Sequence, residues 1–200
     1  KRENILAPEK QMAAGFMWKA PAYLSDSGKA CLLLPSAMFL NSKTNYFQKE
    51  WLNYVKPERV VNFSDLSFIL FEGADRPCMA VCFHLPTEKT ISEYKICYES
   101  PKFDIRSQVG GSIYIREEDT VHLSIRKIID AAKINNAPMI WKSRFWGSWR
   151  DQRLIERLDI FPKLNEIAGE PQENKLWIKG EGCQPYSKND REKDKTVHIP

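Results

Sequence analysis

The sequence contains no run of eighteen apolar residues, so no segment has the length of a membrane-spanning helix. Its longest apolar stretch, residues 30–35, has the length of a strand. Histidines number only 3, and His84, His122 and His198 lie too far apart to form a ligand pattern. The 5 cysteines (Cys31, Cys78, Cys82, Cys97 and Cys183) include no CxxC and have no close His pair, which argues against zinc. Mostly set in apolar, strand-like contexts, they read as reduced, buried thiols of a cytoplasmic protein. A Walker loop and a Gly-x-Ser-x-Gly elbow are missing too. Gly180-Glu181-Gly182 lacks the third glycine and the following helix of a dinucleotide site. The first residues, Lys1-Arg2-Glu3-Asn4, carry neither a signal-peptide core nor an initiator Met, as expected of a piece of a longer protein.

What is present is globular. The 200 residues are 42% hydrophobic, 12% aromatic and 28% charged, enough apolar mass for a core. That excludes a disordered chain, a collagen-like polymer and a small disulfide knot. A net charge of +4 permits an anionic partner without demanding one.

Along the chain, Ala13, Phe16, Met17 and Ala20 make a helical stripe over about residues 9–20, with Pro21 ending it. Ser25-Asp26-Ser27-Gly28 reads as a turn, and residues 29–34 as a strand without alternation, hence one covered on both faces. Tyr46, Phe47, Trp51, Leu52 and Val55 mark a second helix over residues 44–55. Arg59-Val60-Val61-Asn62-Phe63 is the next strand, completing a βαβ unit. Residues 68–71 and 78–85 are two apolar runs, the second able to lie antiparallel beside the first strand. Residues 1–86 therefore read as the closing section of a doubly wound sheet. Beyond them, residues 94–98 alternate as an edge strand would, and residues 112–115 suggest another. Helical patterns follow over residues 121–132, 139–146 and 149–158, with a last one opening at Pro162 and ending near Ala168-Gly169. Residues 177–182 read as strand then turn, and residues 187–195 as a charged, aperiodic tail.

Three segments could carry chemistry. Pro35 and Ser36 follow the first strand, where open α/β sheets bind ligands; alternatively Pro35 only stops the strand while Phe39 and Leu40 fill the core. Phe68 and Phe71 precede a Gly-containing loop, where an aromatic can stack on a nucleobase, or else alternate as core. Between residues 141 and 153, Lys142, Arg144, Arg150 and Arg153 interleave with Trp141, Trp146 and Trp149. Cations there can bind phosphates, or their stems can pack over core tryptophans. No carboxylate pair is placed to act as acid and base.

The order and spacing of several stretches resemble a known family. They are Gly15-Phe16-Met17-Trp18-Lys19-Ala20, Gly28-Lys29-Ala30-Cys31-Leu32-Leu33-Leu34-Pro35-Ser36 with Phe39-Leu40-Asn41, Trp51-Leu52, Val60-Val61-Asn62-Phe63, and Phe71-Glu72-Gly73 leading to Pro77-Cys78-Met79-Ala80-Val81. Together with Trp146-Gly147-Ser148, Arg150-Asp151 and Leu154-Ile155-Glu156-Arg157-Leu158, they resemble the C-terminal half of bacterial restriction-modification DNA adenine-N6 methyltransferases with an appended target-recognition domain.

The resemblance implies a partial doubly wound, Rossmann-like α/β sheet whose last strand is antiparallel and lodged between two others. A helical connector and a small mixed segment would follow. It implies residues 1–90 as catalytic-domain end, 91–168 as connector and 169–200 as the start of a recognition domain. Phe71, with Phe68 as fallback, would stack on a flipped adenine beside Pro35 and Ser36, because its amino group is out of reach inside the duplex. Lys142, Arg144, Arg150 and Arg153 would contact DNA. The family's Gly-x-Gly cofactor loop and its Asn/Asp-Pro-Pro-aromatic tetrapeptide are absent from these residues, and Arg76-Pro77-Cys78 stands where a small hydroxyl residue is common. The expectation is thus a cytoplasmic enzyme fragment, inactive alone and binding neither S-adenosylmethionine nor metal. Double-stranded DNA, the N-terminal half and a specificity or restriction subunit would be its partners. The alternative is a non-catalytic DNA- or protein-binding module.

Overall fold

The computed structural model describes residues 11–71, 76–86, 94–104, 111–145, 149–169 and 177–178, together with residues 8 and 73. The chain divides into two compact units, Lys1–Ile155 and Glu156–Pro200.

The first unit is built on a five-stranded mixed sheet. Its strands are β1 (Lys29–Pro35), β2 (Lys56–Asn62), β3 (Cys78–His84), β4 (Lys95–Glu99) and β5 (Thr120–Ser124), in the order β1-β3-β2-β4-β5. β3 runs antiparallel to both β1 and β2 and lies between them, in agreement with the sequence-based expectation. Leu32 faces Val81 on one side of it, and Val60 faces the same residue on the other. β4 adds parallel to β2, and β5 antiparallel to β4. The sheet is open, with β1 and β5 at its edges.

Local chemistry explains most boundaries. α1 (Met12–Lys19) gives way to a 3-10 turn (Ala20–Tyr23) containing Pro21. At the next turn a Cβ on Gly28 would sit 3.0 Å from the backbone of Ser25, whose carbonyl accepts the Gly28 amide at 2.8 Å. α2 (Ala37–Leu40) and a 3-10 turn (Ser42–Thr44) precede α3 (Asn45–Tyr54). β2 begins earlier than expected, at Lys56, and its register slips between Pro57 and Arg59. Pro57 is tolerated because β4 pairs only with Arg59, Val60 and Val61, so its missing N–H costs no ladder bond on that side.

The core lies between the sheet and α1, α3, α5 (Ile125–Lys133) and α6 (Ala137–Phe145). Its centre is a chain of aromatic edges: Phe39 on Trp141 at 5.0 Å, Trp51 on Phe83 at 5.3 Å and Tyr98 on Trp141 at 5.5 Å. Such pairs contribute roughly 0.5–1.5 kcal/mol each beyond their buried area. The Trp51 indole donates to the Met17 carbonyl at 3.0 Å, fastening α3 to α1 without leaving a buried N–H unpaired.

Several expectations need correction. β1 is not covered on both faces: Ala30, Leu32 and Leu34 pack inward, whereas Lys29, Cys31 and Leu33 are exposed, Leu33 by 55%. Residues 112–115 form no strand, and the strand over residues 95–99 is interior because β5 pairs with it. The helix expected from residue 121 starts at Ile125, since residues 120–124 pair with β4 as a strand. Ser124 caps it, accepting the Lys127 amide at 3.5 Å. The apolar run over residues 68–71 lies mostly in a helical turn, α4 (Ser67–Leu70). Cys31 and Cys82 are not reduced thiols: opposed across β1 and β3, they are joined as a disulfide. Cys78 and Cys97 are free, and Cys183 lies outside the described residues.

α7 (Trp149–Leu158) runs across the boundary between the units. In the second unit, α8 (Leu164–Ile167) opens with the Lys163 amide donating to Glu166 Oε2 at 3.2 Å. It leads into β6 (Ala168–Gly169), paired parallel with β7 (Trp177–Ile178). The Gly-x-Gly segment and the charged tail lie outside the described residues.

Candidate functional site

The carboxyl ends of β1 and β2 and the start of β3 meet at one end of the sheet, where Pro35 stands opposite Cys78 and Asn62 opposite Met79. The loops leaving β1 and β2 are clipped to the entry of β3. The Ser36 amide donates to the Pro77 carbonyl at 2.9 Å and the Phe63 amide to the Cys78 carbonyl at 2.9 Å. After Pro35 the chain turns at buried Ser36 into α2, which sends Met38 and Phe39 into the core. Asn41 Oδ1 then accepts the Lys43 amide at 2.9 Å, an Asx turn that fixes the loop.

A pocket of about 460 Å³ opens here, lined by Gln11, Pro35, Ser36, Asn41, Ser42, Arg76 and Lys142 among others. Its volume is ordinary for a small-molecule site. Pro35, Ser36 and Lys142 are therefore brought together, although residues 36 and 142 are distant in sequence. No carboxylate is among its described lining residues. Cys78 beside it is no reactive thiol, because burial pushes its pKa up and keeps it protonated. Among the described residues no group of His, Cys, Asp and Glu is placed to hold a metal ion.

Lys142 reaches the pocket because α6 is anchored behind it. The buried Gln48 amide accepts the Trp141 indole N–H at 2.9 Å, and Asn45 Oδ1 accepts the Ala137 amide at 2.9 Å. From the sheet side, Tyr98 donates to the Trp141 carbonyl at 3.5 Å and itself accepts from Asn62 Nδ2 at 2.8 Å. Burial raises the Tyr98 pKa, so the phenol stays a neutral donor. At the end of α6, Ser100 Oγ donates to the Arg144 carbonyl at 3.3 Å, and Lys102 donates to that of Phe145. Burial lowers the pKa of Lys102, whose ammonium also lies 4.1 Å from the centre of the Phe145 ring.

The two candidate aromatics stand at the same end of the sheet but do not line the pocket. Phe68 is 61% exposed, with its ring 5.2 Å from that of Phe103, and Phe71 is 39% exposed. Neither is a core residue, which removes the reading in which they alternate inward. Trp141, by contrast, is fully buried, so for this tryptophan the packing account holds. Arg144 is half-buried and Arg153 exposed. The side chains of Trp149 and Arg150, and residues 146–148, lie outside the described residues.

Arg76 and Asn41 do not stand out as site residues in the sequence. The signal for Arg76 is a lone cation directly ahead of Pro77 at a strand entrance. For Asn41 it is an Asn two residues ahead of Lys43, the spacing of an Asx turn. In comparisons with known proteins, no protein-family model and no curated protein sequence matches this chain.

Proposed function

We propose that this chain is the C-terminal part of an S-adenosylmethionine-dependent DNA adenine-N6 methyltransferase of restriction-modification type, acting on double-stranded DNA in the cytoplasm. The observation that carries the reading is strand placement. β3 lies reversed between β1 and β2, and the segment between β2 and β3 carries exposed Phe68 and Phe71, while the pocket of Pro35 and Ser36 opens where β1 ends and β3 begins. Phe71, 39% exposed, would stack on an adenine turned out of the duplex. Lys142, Arg144, Arg150 and Arg153 would hold the flanking backbone. In this reading the exposed face and free edge of β1 belong to a doubly wound sheet whose N-terminal half supplies the cofactor loop and catalytic tetrapeptide. A specificity or restriction subunit would engage the recognition segment.

A second reading, a non-catalytic nucleic-acid-binding module, draws on the cations at the pocket, which need no methyl donor to bind phosphate. The test is titration of a duplex containing an extrahelical 2-aminopurine, with and without Phe71→Ala. The methyltransferase reading expects affinity for this duplex to fall about tenfold on loss of one stacking ring, with little change for a fully paired duplex. Equal affinity of parent and variant for both duplexes would leave the module reading standing. Calorimetric titration with S-adenosylmethionine should show no binding by this chain alone.

A further inference from the structure

We propose that the pocket at the end of β1 is a phosphate site, closed by Arg76 and Lys142. This goes beyond the stacking role given to Phe71 and does not depend on it. The two cations come from unrelated segments, the loop entering β3 and the helix α6, yet line one cavity. Among the described residues neither is drawn into an ion pair, whereas Arg59, Arg116, Lys29 and Lys133 each are. The described lining offers no carboxylate to neutralise them.

The remaining lining suits the same ligand. Ser36 and Ser42 bring hydroxyl groups, while Leu40 and Pro77 bring apolar surface. A phosphoryl group has several acceptor oxygens and one or two negative charges, which matches a guanidinium fork, an ammonium and hydroxyl donors together. A carboxylate has two oxygens and one charge, and would leave one cation unmatched. The cavity, about 460 Å³, is larger than a phosphate alone and leaves room for the attached sugar or base along the apolar side. The phosphoryl group could belong to a polynucleotide backbone or to a free nucleotide.

The experiment is calorimetric titration of the full chain at low ionic strength with inorganic phosphate, adenosine 5′-monophosphate and a short duplex. Arg76→Gln and Lys142→Gln should each weaken binding about tenfold, the scale of one charge-assisted hydrogen bond. Arg76→Lys should restore part of the loss, and Lys127→Gln, on exposed α5 surface, should change nothing. Binding of all three ligands would assign the site to any phosphoryl group, and binding of the duplex alone to a backbone phosphate. Phe71→Ala should leave phosphate binding intact, which separates this proposal from the stacking one. The proposal is overturned if the parent binds none of the three, or if Arg76→Gln and Lys142→Gln, with near-UV spectra matching the parent, bind as it does.

Discussion

Trp141 donates its indole N–H to Gln48 Oε1 at 2.9 Å inside the core. The other half of the same amide donates to the Phe39 carbonyl at 2.9 Å and to Thr44 Oγ1 at 2.8 Å. One glutamine thus ties α6, which carries Lys142, to the loop and helix that follow β1. The placement of the pocket cation depends on this buried amide.

Gln48→Leu should therefore be costly despite its apolar gain. It leaves the Trp141 N–H and the Phe39 carbonyl unpaired in the core, and each such group costs about 1–3 kcal/mol. Urea denaturation should show a loss of about 3 kcal/mol. A loss below about 1 kcal/mol would mean that the amide contributes little beyond filling space.

The Cys31–Cys82 bridge closes a loop with a sequence separation of 51. Loop-closure entropy predicts that Cys31→Ser with Cys82→Ser lowers stability by about 2–4 kcal/mol, and that the parent measured in reductant matches the double variant. Identical denaturation midpoints with and without reductant would show that the bridge does not constrain the unfolded chain.

Lys29 Nζ donates to both Glu58 oxygens, at 3.0 and 2.7 Å, and His84 Nε2 lies 3.3 Å from Glu58 Oε1. The hydrogen bond from Lys29 holds the Glu58 carboxyl below its ordinary value of 4.5, with neighbouring positive charges adding to it and slight burial opposing. Because the folded pKa is the lower one, the unfolded chain binds the proton first as pH falls. The stabilisation is therefore complete above 4.5 and disappears as pH drops through the depressed value. Glu58→Gln should cost at most about 1 kcal/mol at neutral pH, since the pair is exposed. The difference from the parent should vanish in acid, and a gap unchanged down to about pH 2 would contradict this.

Arg144→Ala combined with Arg150→Ala should weaken duplex binding and reduce the slope of log affinity against log salt by about two, one for each phosphate no longer neutralised. An unchanged slope would make both arginines packing residues, as Trp141 already is.

The sheet centre is legible in the sequence because it rests on local signals. Residues 30–34, 60–63 and 79–83 are largely apolar segments bounded by turn residues, which marks them as strands, whereas the lodging of the reversed strand between the other two is implied by the family resemblance alone. The faces of β1 are not legible, because an apolar run does not reveal whether both are covered, and Cys31 and Leu33 look as buried in sequence as Leu32 and Leu34. Val121 misleads for a different reason. It lies four residues before Ile125 and so completes a helical stripe, yet residues 120–124 also fit a period of two, and pairing with β4 decides for the strand. The helical turn at Ser67–Leu70 is too short to show a period. At the site, Pro35 and Ser36 follow from the rule that ligands bind at strand ends. Their meeting with Lys142 does not, because it depends on the long-range bonds of Gln48 and Asn45 to α6. Arg76 is hidden in the same way, as one charge in a loop whose partner comes from another part of the fold.

The most direct measurement is the nucleotide sequence of the gene upstream of the Lys1 codon. The methyltransferase reading predicts an open reading frame encoding an acidic or aromatic residue with Gly-x-Gly after a first strand, then an Asn/Asp-Pro-Pro-aromatic tetrapeptide. A frame that starts at the immediate neighbours of Lys1, or one that continues upstream with neither motif, would contradict it.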